Sequence, residues 1–194
     1  MNLPNKLTIA RFIMAPIFLA LMLIDFEHHY AVALVVFIVA SLTDLFDGKI
    51  ARERKLITNF GKFLDPIADK MITTSAFLAF LFLHMGWGII WITFFVLARE
   101  FVVTSVRLVA ADNGKVIAAN FWGKLKTVMQ MVAIITTLLF EYLIEEFVPM
   151  LGLEMIVDPL RGVYSILLWI SAIFTIIAGV TYVIGSREFI KIDK

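Results

Sequence analysis

No cysteine occurs among the 194 residues. Disulfides, a thiolate nucleophile and a cysteine-ligated metal are thereby excluded. Histidine is almost as scarce. His28, His29 and His84 fall in short predicted loops without the spacing of metal ligands, and read as solvated. A formal net charge of +1 leaves no basic excess, so no nucleic-acid partner is expected. Internal repeats, low-complexity tracts and long linkers are missing too, and residues 1–194 read as one domain. What the chain has in plenty is apolar: 61% of residues are hydrophobic and mean hydropathy is +0.95. A soluble domain is about 45–50% apolar, so the excess points to a membrane protein.

Hydropathy predicts an all-α, polytopic membrane protein with six transmembrane helices, near 7–25, 30–53, 61–84, 87–112, 124–147 and 162–186. Lys6 and Arg11 precede the uncharged run 12–24, but Asp25-Phe26-Glu27-His28-His29 follows with no small-residue cleavage site. The segment therefore reads as a retained first helix, not a leader. Uncharged cores at 12–24, 30–43 and 127–140 are short for a span, and charges continue their helical phase at one end. Such ends extend past the hydrocarbon or line a wet cavity. Residues 141–160 carry five acidic groups and no basic one, and read as containing a short amphipathic piece on the outer face.

Charge also sets the orientation. On this layout 16 of the 17 basic residues fall on one side, leaving Arg161 alone on the other. The positive-inside rule then puts both termini on the cytoplasmic side of a cell membrane. Lys49, Arg54, Lys55, Lys62 and Lys115 are read as topology and lipid-attraction charges. Trp87, Trp91, Trp122 and Trp169 are read as interface or packing anchors.

Against this apolar background stands Asp44-x2-Asp47-Gly48-x2-Ala51-Arg52-x8-Gly61-x3-Asp65-x3-Asp69. Asp44 and Asp47 are i, i+3; Gly61, Asp65 and Asp69 are i, i+4, i+8, so each set shares a helix face. Carboxylates near hydrocarbon are costly, and paired sets there suit a hard divalent cation with oxygen ligands. Small residues at 48 and 51 leave room for a bulky ligand beside the metal. The pattern reads as a metal-dependent phosphate site at a membrane surface.

The eight spaced residues resemble the signature of the CDP-alcohol phosphatidyltransferase family, matched at every position. The flanks Leu3-Pro4-Asn5-Lys6-Leu7-Thr8-Ile9-Ala10-Arg11, Arg99-Glu100, Arg107-Leu108-Val109-Ala110 and Gly123-Lys124-Leu125-Lys126-Thr127 resemble the bacterial branch that uses glycerol 3-phosphate. The resemblance covers about residues 2–130. It implies transfer of a phosphatidyl group from CDP-diacylglycerol to glycerol 3-phosphate, with one or two Mg2+ (or Mn2+) ions as cofactor. Asp44, Asp47 and Asp65 inherit the metal-ligand role. Asp69 inherits that of the general base and also touches metal. Gly48, Ala51, Arg52 and Gly61, with Asn5 and Thr8, resemble the positions that contact CDP. The resemblance also implies a homodimer among membrane lipids.

The acceptor phosphate carries nearly two negative charges and calls for basic residues near helix ends. Arg107, Lys124 and Lys126 are the candidates, with Arg11 behind them. Arg99 and Glu100 read equally as an internal ion pair or as ligands. Two alternatives stay open. The same chemistry with serine or an inositol phosphate keeps the site and changes the acceptor. A divalent-cation transporter fits six helices with carboxylates, but its site belongs near the midplane, and inverted repeats are missing.

Overall fold

The computed structural model describes residues 3–54, 59–112 and 121–187, with side chains described for 7–43, 67–110 and 121–187. Six long helices dominate, as hydropathy predicts: α1 (Leu3–Leu23), α2 (His29–Arg54), α3 (Asn59–Phe82), α4 (Ile89–Asp112), α5 (Phe121–Tyr142) and α7 (Val157–Gly185). Between α5 and α7 lie a π-helical turn (Leu143–Phe147), the short α6 (Val148–Leu151) and a 3-10 turn (Glu154–Ile156). No strand occurs among the described residues. The expected amphipathic piece after Glu141 is this broken segment. Gly152 ends α6 in the left-handed region at φ 65°, where a β-carbon is disfavoured.

Three described stretches are long and apolar enough to cross a bilayer: Ile89–Ala110, Phe121–Leu151 and Glu154–Gly185. Leu7–Leu23 and His29–Thr43 are shorter apolar helices. These spans are counted among the residues whose side chains are described; α1 itself begins at Leu3 and α2 continues to Arg54. The outer surface is greasy: Val35, Ile90, Phe94, Phe101 and Ile166 are each more than half exposed. Such a surface is at home in lipid and a liability in water.

The helices pack through small residues. Ala15, Ala33, Ala40, Ala76, Ala79, Ala133 and Ala172 are fully or almost fully buried, and they let backbones approach. Phe18, Phe37, Phe77 and Phe80 fill the space between, with the Phe18 and Phe37 rings 5.9 Å apart. α1 packs on α2 and α3, α5 on α7 and α2, and α4 on α7.

Polar contacts mark the two ends of the bundle. At one end the α1–α2 turn meets the π-helical turn. Glu146 Oε1 accepts from the backbone N–H of His28 and faces its Nδ1, both at 2.9 Å. His29 Nε2 lies 3.0 Å from Glu145. Here the structure corrects the sequence reading of solvated histidines. His29 is 6% exposed and begins α2, because a residue 116 positions away supplies its partner. The α3–α4 turn reaches the same end, where the Trp87 N–H donates to Ser165 Oγ (3.3 Å) and Trp169 Nε1 donates to the Trp87 carbonyl (2.8 Å). At about 1.5 Å per residue, Asp44 stands about 22 Å along α2 from His29, at the other end.

Candidate active site

Both halves of the aspartate motif are helical. Asp44 to Arg52 lie in the last turns of α2, and Gly61, Asp65 and Asp69 lie in the first half of α3. Only residues 55–58 separate the two helices, so chain connectivity keeps these ends near one another. On continuous helix, Asp44 and Asp47 stay within a turn on one face, and so do Asp65 and Asp69. The side chains of Asn5, Asp44, Asp47, Gly48, Ala51, Arg52, Gly61 and Asp65 lie outside the described ones, as do residues 55–58 and Lys115. Asp69 is described and exposed, beside the fully buried Ala68. On α1, Thr8 and Arg11 are buried at 2% and 3%. As a donor set, four carboxylates on the adjoining ends of two helices fit a hard divalent cation of the magnesium or manganese kind.

One residue past Asp69, the chemistry changes sign. Lys70 Nζ donates to Thr104 Oγ1 at 2.7 Å and lies 3.7 Å from Glu100 Oε2. Arg99 Nη1 donates to Glu100 Oε1 at 2.9 Å, and Lys126 Nζ donates to the same oxygen. Three helices thus bring three cations to one carboxylate. All four side chains are largely buried, from 9% exposed for Lys126 to 26% for Lys70. The Arg99–Glu100 ion pair foreseen in the sequence is present, but as part of this larger cluster.

The four proposed acceptor-phosphate residues are not gathered at one point. Lys126 is in the cluster. Arg107 is two turns further along α4, where its Nε donates to Tyr182 Oη (3.3 Å) and its guanidinium lies 5.7 Å from that ring's centre. Lys124 is exposed on α5 and Arg11 is buried in α1. Sequence reasoning passed over Lys70 and Thr104. The signal was there: Glu100, Thr104 and Arg107 are i, i+4, i+7 on α4, one helix face shared with the buried Val96 and Val103.

The opposite end holds its own polar groups. Tyr164 Oη donates to Glu141 at 2.5 Å and Arg161 Nε lies 3.6 Å from the same carboxylate, beside a cavity of about 310 Å3 that Tyr30 and His84 also line. Asp25, His29 and Glu145 bring one donor atom each within 4.8 Å of one another. This group is a helix-length away from the aspartate motif and belongs to the turn contacts described above.

Comparison with known proteins follows the motif. The family model described as CDP-alcohol phosphatidyltransferase matches residues 1–181. The chain is similar to a Bacillus subtilis protein named CDP-diacylglycerol–glycerol-3-phosphate 3-phosphatidyltransferase, at 37% identity covering 98% of this chain and 97% of that one. A Mycobacterium tuberculosis protein named probable phosphatidylglycerophosphate synthase is 38% identical over 94% of this chain and 80% of its own length. A Rickettsia typhi protein with the same name as the Bacillus one is 36% identical, covering 93% and 94%.

Proposed function

Because this chain belongs to the CDP-alcohol phosphatidyltransferase family, we propose that it transfers the phosphatidyl group of CDP-diacylglycerol to glycerol 3-phosphate, releasing CMP and phosphatidylglycerol phosphate. The observation that carries this reading is the complete eight-residue motif on two helices joined by four residues, within a chain matched almost end to end by relatives so named. Membership removes the cation-transporter alternative.

In this reading Asp44, Asp47, Asp65 and Asp69 would hold the divalent cation. A magnesium- or manganese-class ion held by them would supply positive charge to offset that of the diphosphate. Gly48, Ala51, Arg52 and Gly61 form the surface against which CDP lies, with Asn5 and Thr8 at its edge. The Asp69 carboxylate takes the proton of the acceptor hydroxyl as its oxygen attacks the phosphorus that bears the diacylglycerol. The new phosphorus–oxygen bond forms while the bond to CMP breaks, and CMP leaves with that electron pair. Positioning and charge do most of the work, so no protein nucleophile is required. Arg11, Arg107, Lys124 and Lys126 supply the positive field for the acceptor phosphate.

The working unit is a homodimer in the bacterial cell membrane, with both termini and the aspartates on the cytoplasmic side. The one-sided distribution of basic residues supports that orientation. The test is CMP release by purified protein from CDP-diacylglycerol with glycerol 3-phosphate, serine or an inositol phosphate offered singly, with and without chelator. Release with glycerol 3-phosphate alone, abolished by chelator, is the expected result. Release only with another acceptor overturns the substrate and keeps the chemistry.

A further inference from the structure

We propose that the cavity at the end of the bundle opposite the aspartates binds a zwitterionic phospho-aminoalcohol, with Glu141 taking its ammonium group and Arg161 its phosphate. This site is separate from the transfer reaction and does not depend on it. Three observations carry it.

The first is that the cavity is built by converging elements. At about 310 Å3 it reaches the size of small-ligand pockets. Tyr30 comes from the start of α2, Glu141 from the end of α5, Arg161 and Tyr164 from α7, and the α3–α4 turn closes the ring. Gly86 lets that turn come in close. It sits at φ 96°, and a β-carbon there would stand 2.9 Å from Leu168 and 3.8 Å from the Tyr164 ring. The backbone bonds of Trp87 to Ser165 and Trp169 then pin the turn to α7.

The second is an unused acceptor. The Glu141 side chain is only 8% exposed, yet both of its polar partners approach one oxygen. Tyr164 Oη donates to Oε1, and Arg161 Nε lies 3.6 Å from Oε1. Neither contact reaches Oε2. A buried carboxylate oxygen without a donor is costly, and a ligand N–H in the cavity supplies one. Tyr30, Trp87 and Tyr164 also line the cavity, and aromatic rings favour an ammonium group near their faces.

The third is charge at this end as a whole. Residues 25–30, 83–88 and 141–165 hold Asp25, Glu27, Glu141, Glu145, Glu146, Glu154 and Asp158 against the single basic residue Arg161. Glu146 faces His28 and Glu145 faces His29, while Asp25 and Glu145 add their field to that of Glu141 at Tyr30. Such a surface draws a cation and repels a bare anion. Arg161 is half exposed, so its N–H groups beyond Nε are open to a phosphate. A carboxylate and a guanidinium side by side match a ligand whose ammonium and phosphate are a short carbon chain apart. The same chemistry occurs in a free phospho-aminoalcohol and in a lipid headgroup, and the exposed Trp87, Ile90 and Trp91 suit a lipid neighbour.

The alternative is a cavity that holds only water and serves packing. Titration calorimetry on the full-length protein in a non-ionic detergent separates the two. The probes are phosphoethanolamine, dihexanoyl phosphatidylethanolamine and the N-acetylated form of each, which keeps the phosphate and loses the ammonium charge. An amine-bearing probe binds about tenfold or more tightly than its acetylated form, and Glu141→Gln and Arg161→Gln each weaken it about tenfold. Binding of the lipid alone assigns the site to a headgroup in the adjacent leaflet; equal binding of the free compound assigns it to a soluble ligand. No binding, equal binding of the acetylated forms, or an affinity unmoved by both substitutions overturns the site. A lower melting midpoint with unchanged affinity is the packing role, and overturns it too. If Glu141→Gln does not fold, the half-exposed Arg161→Gln decides.

Discussion

Arg99 of α4 lies across Gly179 of α7 so closely that a β-carbon at position 179 would stand 2.9 Å from the arginine Cγ. The glycine is needed for space: it makes the bed in which the guanidinium turns toward Glu100. Gly179→Ala must push the stem of Arg99 aside, an overpacking cost of about 1–3 kcal/mol. The expected outcome is a lower melting midpoint together with a raised KM for glycerol 3-phosphate. A variant that melts lower with both KM values unchanged would falsify the link between this packing and the cluster.

Asp69→Asn keeps the size of the side chain and removes its basicity. Loss of a general base costs about 10²–10⁴ in turnover, with CDP-diacylglycerol still bound. CMP release under saturating substrates measures it. Turnover near that of the unsubstituted protein rules out Asp69 as the base.

Asp44→Asn and Asp47→Asn weaken the cation site rather than the base. Each variant needs more Mg2+ or Mn2+ for half-maximal rate than the parent, and chelator silences the parent reversibly. The metal titration of CMP release is the measurement. Identical metal dependence in parent and variants assigns the ligands elsewhere.

Tyr164→Phe probes the far end. It removes the hydrogen bond to the buried Glu141 and leaves that carboxylate with Arg161. A bond to a buried charged group contributes about 1–3 kcal/mol, so the melting midpoint falls. Both KM values stay at the parent level, because the site lies a helix-length away. A selective rise in either one shows the ends to be coupled.

Orientation is open to chemical labelling, since the chain has no native cysteine to add background. Glu27→Cys and Met155→Cys, both at exposed positions, react with an impermeant maleimide on intact cells. Arg187→Cys reacts only after permeabilisation. The reverse pattern inverts the topology and places the aspartates outside.

Much of this architecture was legible in the sequence because its causes are local. The predicted span 30–53 is α2 at His29–Arg54, and 87–112 is α4 at Ile89–Asp112, within a residue or two. Apolar periodicity and turn residues fix such limits. The aspartate motif was legible for the same reason, as spacing within two neighbouring helices. What escaped was long-range. His29 looked like a loop histidine until Glu145, far along the chain, covered it. Lys70 looked like one more basic residue after the motif until Glu100 and Thr104 gave it partners on α4. Which charges meet across helices depends on how the helices rotate against one another, and composition does not encode that.

The π-helical turn at Leu143–Phe147 gives the rod that begins with α5 a spare residue. A single deletion there lets the turn relax to ordinary α-helix without rotating Lys126 below it or α6 above it. A deletion of the same size further down, between Lys126 and Thr137, swings every later side chain by about 100° and tears the helix from its neighbours. The chain thus tolerates a change of length at one point of this rod and forbids it elsewhere. That point lies at the far end from the aspartates, where Glu145 and Glu146 meet the α1–α2 turn, so the catalytic half keeps its register.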